Sequence, residues 1–166
     1  ELRARFLDLH TTPPSSPTPG ILVMPNPWDI GSAKLLVDAG AIALATTSAG
    51  HAGSRGRLDQ NIARADVVAH VTEMAAAVDV PFNVDSEDCF AADPGGVAET
   101  ARMIAATDAA GFSIEDYDPR AGAILPIEAA AAAMATAKQA GGDLVLNARA
   151  ENHLRGVEDL DDSIAR

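Results

Sequence analysis

Five apolar segments, each followed by a turn and a helical pattern, constrain the fold of this chain more than any other feature of its sequence. They are Ile21–Met24, Ile42–Ala45, the start of Pro81–Asp88, the start of Gly111–Asp116, and Leu144–Leu146. Short segments dominated by apolar residues are typical of strands buried on both faces of a parallel sheet. The helices between them supply the crossovers that parallel pairing needs. The sequence therefore predicts an α/β fold with a parallel sheet covered by helices.

Two architectures are compatible with this order of elements, a (β/α)8 TIM-type barrel and an open doubly wound sheet. Polar residues follow every predicted strand, which favours the barrel because its active site lies at the carboxyl ends of the strands. The open sheet would need a nucleotide or switch-point signal, and the sequence has no glycine-rich fingerprint. We expect the first five barrel units in residues 21–166, preceded by an N-terminal helix and a proline-rich connector in residues 1–20. Because the chain starts without Met and stops within a helical pattern, we interpret it as a C-terminally truncated piece.

Turn residues and apolar periodicity place the helices between the strands. We predict that Asp93 caps a helix with Pro94 at its first position, and that Gly111 ends this helix after Ala110. The other predicted helices cover residues 1–10, the segment up to Ala39, the segment up to Val78, the Ala-rich segment that opens at Leu125–Pro126, and the segment from about Asp159.

Carboxylates follow two consecutive predicted strands. Strand alternation places Asn83, Asp85 and Glu87 on one face of the first strand, and Ser113 and Glu115 on one face of the second. If these strands are parallel neighbours, Asp85, Glu87 and Glu115 converge at their carboxyl ends. Crowded carboxylates repel until a proton or a cation relieves them, and an all-oxygen set suits Mg²⁺. The alternative is that these acids are helix caps or solvated loop residues.

The charge balance excludes several classes of partner. The chain has 12 basic and 24 acidic residues, a formal charge of −12, which argues against binding to nucleic acid or to an anionic membrane. No apolar run approaches the ~20 residues of a membrane span, and no secretory signal is visible, so we expect a cytoplasmic protein. Cys89 is the only cysteine, which excludes a disulfide framework. Any anionic substrate must therefore be held by a local device, which is a metal, backbone amides or an arginine.

Two positions are candidates for holding such a substrate. The turn Ser48–Gly50 follows the second strand and offers backbone amides to a carboxylate or phosphoryl oxygen. Arg149 and Asn147 share a face at the end of the fifth strand. Arg149 either pairs with a substrate carboxylate or pairs with Glu115 or Glu151 and organises the acids, and these two roles are compatible.

Asp59, three histidines and the cysteine are less informative. Asp59 is placed to reach the water shell of a metal, or is a surface turn residue. His51 and His153 each follow a strand end and are candidates to face the site, whereas His70 lies within a helix and is expected to be solvated. We expect Cys89 to be a small buried residue rather than a nucleophile, because no histidine is tied to it by sequence.

Several motifs occur in the order seen in one known family and cover nearly the whole chain. They are Asn26–Asp29 with Ser32–Ala33, Thr46–Gly50, Val84–Glu87 with Asp93–Pro94, Ser113–Asp116, and Asn147–Arg149. As a set they resemble the isocitrate lyase / phosphoenolpyruvate mutase superfamily. The resemblance implies a (β/α)8 barrel that binds a 2-oxo acid with Mg²⁺, or alternatively Mn²⁺. It also implies that the full-length protein is a homo-oligomer.

The resemblance further implies a role for each matching residue. The implied metal ligands, direct or through water, are Asp85, Asp59, Glu87 and Glu115. The implied substrate-binding residues are Thr47, Ser48, Ala49, Gly50, Asn147 and Arg149. The implied catalytic residues are Arg149, Glu115 and Asp59. A metal chelated by a 2-oxo acid would stabilise the enolate left when the adjacent bond breaks.

The chain departs from the family's lyases after the fourth strand. Only Tyr117–Ile124 separate Asp116 from Leu125, without Cys, His or Lys, whereas those lyases carry a longer mobile loop with an acid cysteine. This argues against cleavage of isocitrate or methylisocitrate by that route. We predict a magnesium-dependent lyase-type enzyme acting on a small 2-oxo acid or related dicarboxylate, for example by decarboxylating an oxaloacetate-like substrate. The alternatives are a phosphonate P–C mutase or hydrolase, and a non-catalytic oxo-acid-binding barrel.

Overall fold

The structure is a computed structural model that describes residues 1–12 and 20–166. Its strands are β1 (Leu44–Ala45), β2 (Phe82–Asp85), β3 (Gly111–Glu115), β4 (Tyr117–Asp118), β5 (Ala123–Ile124) and β6 (Val145–Arg149). Its helices are α1 (Leu2–Thr11), α2 (Ile30–Asp38), α3 (Ser48–Ser54), α4 (Arg64–Ala76), α5 (Gly96–Ala105), α6 (Ile127–Gly141) and α7 (Leu160–Ala165). Most of the predicted proline-rich connector, residues 13–19, lies outside the described residues.

Four strands form one parallel sheet in the order β1-β2-β3-β6, and helices connect them. The predicted α/β class with a parallel sheet is therefore confirmed. Strands β4 and β5 form a separate antiparallel hairpin directly after β3, which the sequence analysis treated only as a short loop. None of the helices in the described part of the chain is long and apolar enough to cross a membrane.

The segment Ile21–Met24 does not form the predicted strand buried on both faces. Residues 21–27 have no strand assignment, and Ile21 and Val23 are 59% and 46% exposed. The segment lies beside β1, where the Ala45 N–H donates to the Pro25 carbonyl at 3.2 Å. Its other side has no strand neighbour among the described residues, so its side chains are only partly covered. An apolar sequence alone does not show whether a second neighbour is present.

Capping residues explain where two helices begin. The Asp29 carboxylate accepts a hydrogen bond from the Ser32 N–H, and the Ser32 hydroxyl accepts one from the Asp29 N–H, which is a capping box for α2. The predicted cap at Asp93 is wrong, because α5 begins only at Gly96. Gly95 and Gly96 both have positive φ, at 80° and 53°, and this left-handed backbone cannot continue a helix from Asp93.

The two faces of the sheet have different environments. One face carries Val84, Phe112 and Ile114, which are buried against Val71 of α4 and Ile104 of α5. Burying each such side chain contributes about 1.5–3 kcal/mol. The opposite face carries the polar side chains that alternate with these core residues, so the helices fix the sheet from one side and leave the other side for a site.

Helix α1 covers the amino ends of the strands. Phe6 is fully buried in a cluster with Ala43 and Ala110, and its ring approaches the backbone at Gly111 so closely that a side chain there would clash. Arg3 donates to the carbonyls of Ala105, Thr107 and Ala109 at the same end. The carboxyl ends of the strands are therefore the open end of the sheet.

Candidate active site

A cavity of about 490 Å³ lies at the carboxyl ends of the parallel strands, on the face opposite the helices. The sheet supplies Asn83 and Asp85 from β2, Ser113 and Glu115 from β3, and Asn147 and Arg149 from β6. Strand register places Asp85 opposite Ser113, and Glu115 opposite Arg149. The alternation predicted for Asn83, Asp85, Ser113 and Glu115 is thus confirmed. Thr46, Thr47, Ser48, Ala49, Asp59, Leu154 and Arg155 line the rest of the wall.

Asp85 is held on both sides of its carboxylate. Its Oδ2 accepts hydrogen bonds from the N–H and the hydroxyl of Ser48, at 2.9 and 2.8 Å. Its Oδ1 accepts from Nη1 of Arg149 at 3.1 Å, and its own N–H donates to the Thr46 hydroxyl at 2.7 Å. Three contacts therefore fix the carboxylate at the edge of the cavity in one orientation, and a fourth fixes the backbone that carries it.

Arg149 contacts three carboxylates at once. Its Nη1 lies 3.1 Å from Asp85 Oδ1 and 3.0 Å from Glu115 Oε1, and its Nη2 lies 3.0 Å from Glu151 Oε1. The sequence left open whether this arginine pairs with acids or with a substrate, and the structure shows the pairing with acids. Because 39% of the side chain is exposed at the cavity, the same guanidinium remains accessible to a ligand.

Asp85, Glu87 and Glu115, here called the carboxylate cluster, would together carry more negative charge than their partners balance if all three were ionised. Burial, followed by repulsion from Asp59, Asp85 and Glu115, raises the pKa of Glu87 to about 8. Burial also raises the pKa of Glu115 to about 7, against the opposing effect of Arg149. Oε1 of Glu87 and Oε2 of Glu115 are buried with no hydrogen-bond partner among the described residues. These two oxygens are free to bind a proton or a cation.

The cluster fits a hard divalent cation in its chemistry but is not a preassembled metal cage. All its donors are carboxylate oxygens, two of them without partners, which is what Mg²⁺ binding requires. Within residues 1–12 and 20–166, however, no three acidic, histidine or cysteine side chains lie close enough to form a metal-binding group. The Arg149 guanidinium lies between Asp85 and Glu115, so the convergence of these two acids with Glu87 on one cation stays a prediction.

Glu87 is placed differently from the strand pattern that predicted it. Strand β2 ends at Asp85, and Glu87 has a left-handed backbone with φ of 53°. It does not line the cavity, but it is close enough to Asp85 and Glu115 for their charges to raise its pKa. The Glu87 carbonyl also accepts a hydrogen bond from the Glu115 N–H at 2.8 Å, which ties the two acidic strand ends together.

The predicted amide cradle is only partly available. Thr47 is the N-cap of α3, and its hydroxyl accepts from the Gly50 N–H at 3.1 Å. The Ser48 N–H donates to Asp85. The expectation that both amides are free for a ligand is therefore wrong, because they already bind protein oxygens. Thr47, Ser48 and Ala49 line the cavity, whereas Gly50 does not.

Asp59 and Asn147 lie where the sequence placed them, at the cavity wall. Asp59 is exposed in the loop after α3, and its Oδ1 accepts from the Gln60 N–H at 3.0 Å. Asn147 donates through Nδ2 to Oδ1 of Asn83 at 3.0 Å, so the two amides form one polar patch across β6 and β2.

Glu151 and Arg155 are parts of the site whose role the sequence analysis underestimated or missed. Glu151 is buried, binds Arg149, and has its Oε2 3.3 Å from Nη2 of Arg155. The Arg155 guanidinium lies over the Tyr117 ring at 3.6 Å from its centroid. Arg155 follows an irregular turn after β6, where strand alternation gives no signal, and only its spacing of four residues from Glu151 could have indicated it.

His51 and His70, here called the histidine pair, lie outside the cavity. Their rings stack with centroids 3.8 Å apart, and neither ring nitrogen of His51 has a hydrogen-bond partner among the described residues. Burial lowers the pKa of both, and that of His70 to about 4. His51, a candidate to face the site, does not line the cavity, because α3 packs it onto α4. The expectation that His70 is solvated is wrong, because its ring is stacked under His51. His153 is exposed and does not line the cavity.

Cys89 is fully buried, as predicted, and burial raises the pKa of its thiol to about 12. A thiol with this pKa is protonated at neutral pH and is a poor nucleophile.

Comparison with known proteins assigns this arrangement to a family. The family model for phosphoenolpyruvate phosphomutase matches residues 8–166. An uncharacterised protein of Mycobacterium tuberculosis strain H37Rv is 30% identical over 145 residues, which are 87% of this chain and 54% of the relative. The chain thus spans about half the length of the curated relatives it matches.

Solved structures share the fold. A candidate lyase or mutase from Burkholderia cenocepacia J2315 is 43% identical, with a TM-score of 0.88 over 99% of this chain and 61% of the other. An oxaloacetate acetylhydrolase is 26% identical, with a TM-score of 0.70 over 84% and 50%. A phosphonopyruvate hydrolase solved with oxalate and Mg²⁺ is 20% identical, with a TM-score of 0.78 over 84% and 50%, and shows the fold alone. The names of these neighbours are those of a lyase or mutase and of two hydrolases, and their matches cover 84–99% of this chain.

Proposed function

The chain belongs to the phosphoenolpyruvate phosphomutase family, and we propose that it forms most of the active site of a lyase-type enzyme for a small 2-oxo dicarboxylate. The proposed reaction breaks the C–C bond one carbon away from the 2-oxo carbon and leaves an enolate, for example in the decarboxylation of an oxaloacetate-like substrate, where the leaving group is CO₂. An oxaloacetate acetylhydrolase among the solved structures with 26% identity supports this substrate class.

The observation that carries the proposal is one exposed guanidinium shared by three carboxylates at the cavity wall. Nη1 of Arg149 contacts both Asp85 and Glu115, and Oε2 of Glu115 has no hydrogen bond. Three carboxylates around one guanidinium leave negative charge for a further cation, and the exposed part of Arg149 leaves room for an anion beside that cation.

Asp85, Glu87, Glu115 and Asp59 are the residues we assign to hold Mg²⁺, directly or through water. The bound ion would supply Lewis-acid stabilisation of the negative charge that develops on the carbonyl oxygen. Ser48 keeps the Asp85 carboxylate oriented toward the cavity through its two hydrogen bonds. Glu151 holds Nη2 of Arg149 and Asp85 holds Nη1, so the guanidinium is fixed in one orientation at the cavity wall.

We assign Arg149 to bind the substrate carboxylate and to polarise the adjacent 2-oxo group. When the C–C bond breaks, its electron pair moves toward that group, and a guanidinium N–H near the oxygen stabilises the charge. Asn147 and Asn83 supply neutral donors and acceptors beside it. Thr47, Ser48 and Ala49 form the opposite part of the wall, with fewer free amides than the sequence suggested.

One observation favours a second candidate, a barrel that binds an oxo acid without turning it over. The hairpin β4–β5 spans only residues 117–124 and carries no Cys, His or Lys that could act as a proton donor above the cavity. Decarboxylation does not need a proton donor in this hairpin when the C–C bond breaks. The lyases with a longer loop do need one, the acid cysteine of that loop. Phosphonate P–C cleavage remains the alternative within the enzyme class, on the strength of the family model.

Isothermal titration of the protein with oxalate, a planar mimic of the enolate, tests the proposal. We expect binding with Mg²⁺ and none with chelator, followed by release of CO₂ from oxaloacetate above the rate without protein. Magnesium-dependent binding without turnover would select the non-catalytic candidate. No oxalate binding under either condition would refute the proposed site.

A further inference from the structure

Arg155 is a second guanidinium at the same cavity, and its bonding is incomplete. Its Nη2 lies 3.3 Å from Glu151 Oε2 and 3.7 Å from Glu115 Oε2. Both distances exceed the ~2.7–3.2 Å of an N–H···O hydrogen bond. Its Nε is buried with no hydrogen-bond partner among the described residues. Arg149, by contrast, makes three contacts of 3.0–3.1 Å.

The position of Arg155 is nevertheless fixed. Its guanidinium lies over the ring of Tyr117, with the Cζ atom 3.6 Å from the ring centroid, and Glu151 draws it from one side. Stacking of this kind orients the plane of the guanidinium and leaves its edge free to donate. The side chain is 27% exposed and lines the cavity beside Leu154. An oriented cation with unused donors at a cavity wall is suited to an anionic group of a ligand.

We propose that Arg155 binds the distal carboxylate of the substrate and makes the site selective for dicarboxylates over monocarboxylates. This inference rests on the proposed function, in which Arg149 binds the carboxylate next to the 2-oxo group. Each guanidinium then takes one carboxylate, and both already contact Glu115, on opposite oxygens of its side chain. In a chain with a formal charge of −12, a second anionic group enters the cavity only where a second local cation meets it.

Two stable ligands that differ only in the distal carboxylate, malate and lactate, test the selectivity. Their affinities are measured with Mg²⁺ by displacement of oxalate, whose two carbons do not reach the distal position. We expect Arg155→Gln to weaken malate binding by about 10- to 100-fold, the loss of one charge-assisted contact. Lactate and oxalate affinities should change by less than about threefold, and Arg155→Lys should restore part of the malate affinity.

Arg120→Gln is the matched control, because Arg120 lies on the neighbouring hairpin, is 70% exposed and does not line the cavity. It removes the same charge and should leave the malate-to-lactate ratio unchanged. Tyr117→Ala is a second variant, which should lower the same ratio severalfold by releasing the guanidinium plane.

Three outcomes would overturn the inference. Equal losses for malate and lactate in Arg155→Gln would show a structural role only. Equal affinity of the unmodified protein for malate and lactate, with oxalate still bound, would refute the selectivity and leave the proposed function intact. Failure of oxalate itself to bind would refute the proposed function and the inference together.

Discussion

The carboxylate cluster and the histidine pair are two groups of like titratable residues that both involve α3, the first through the Ser48–Asp85 hydrogen bonds and the second through His51 of the helix itself. In both, burial favours the neutral form, so the pKa of Glu87 and Glu115 rises while the pKa of His51 and His70 falls. Desolvation acts in the same way on an acid and on a base, and only the sign of the pKa shift differs.

The two groups differ in what surrounds them. The carboxylate cluster is bridged by Arg149 and opens onto the cavity, so a counter-charge is present and a ligand can replace it. The histidine pair is stacked ring on ring, and the charged groups facing it are Arg55, Asp66 and Asp29, which make no hydrogen bond to either ring. A cluster of like titratable groups therefore suits ligand binding only where two conditions hold. An opposite charge that a ligand can replace must be present, and the cluster must open onto a cavity.

The strongest test of this difference removes the negative charge of Asp85, one of the three carboxylates that Arg149 contacts. We expect Asp85→Asn to lower turnover of a 2-oxo dicarboxylate by about 1000-fold, because both the cation site and the orientation of Arg149 are lost. Magnesium-dependent oxalate binding should disappear in the same titration. Asp38→Asn, which changes an exposed acid at the end of α2, is the control. Retained oxalate affinity in Asp85→Asn would mean that the cluster is structural, like the histidine pair.

The next test concerns the free energy of unfolding and its pH dependence in chelator. The pKa of Glu87 is raised from 4.5 to about 8, so its proton stabilises the fold below pH 4.5 and this contribution is lost as the pH rises to 8. A shift of this size is worth about 3–5 kcal/mol. Urea unfolding of Glu87→Gln should therefore show a smaller loss of stability between pH 5 and 8.5 than the unmodified protein. Parallel profiles would contradict the assignment of excess negative charge to this cluster.

The smallest expected effect lies at the histidine pair and has the opposite sign. The pKa of His70 is lowered from 6.5 to about 4, so neutral His70 stabilises the fold above pH 6.5 and this contribution is lost as the pH falls to 4. Because the ring is only partly buried, solvent screening leaves about 1–2 kcal/mol. His70→Phe, which keeps an aromatic ring for stacking, should flatten the unfolding profile between pH 6.5 and 4.5. An unchanged acid slope would show that His70 has the same pKa in the folded and the unfolded protein.

Sequence periodicity predicted the parts of this molecule that depend on regular strands. The period of two in β2, β3 and β6 was enough to place Asp85, Glu115 and Arg149 on one face, because strand geometry fixes side-chain direction. The helical crossovers followed from the order of apolar and turn segments, and they gave the parallel sheet. The family resemblance then supplied the residue types to look for at its carboxyl ends.

The features that were missed depend on partners distant in the sequence or on irregular backbone. The left-handed φ of Glu87 moved it out of the strand pattern, and the Ser48 amide was taken by Asp85, 37 residues away. By its sequence pattern alone His70 is a surface helix residue, and only the structure shows that His51 packs on it. The coverage of Ile21–Met24 depends on neighbours that an apolar pattern does not reveal.

Helix α3 joins the two titratable groups through a single short element. Asp85 holds its first residue, Ser48, and His51 on its buried face stacks on α4. In native-state hydrogen exchange, residues 48–54 form one unit of local opening. Its opening depends on the charge of the cavity at the Ser48 end and on the protonation of the His51 imidazole at its buried face. The exchange rates of amides in this helix, such as that of His51, which donates to the Thr47 carbonyl, would therefore report cavity occupancy without any label on the ligand.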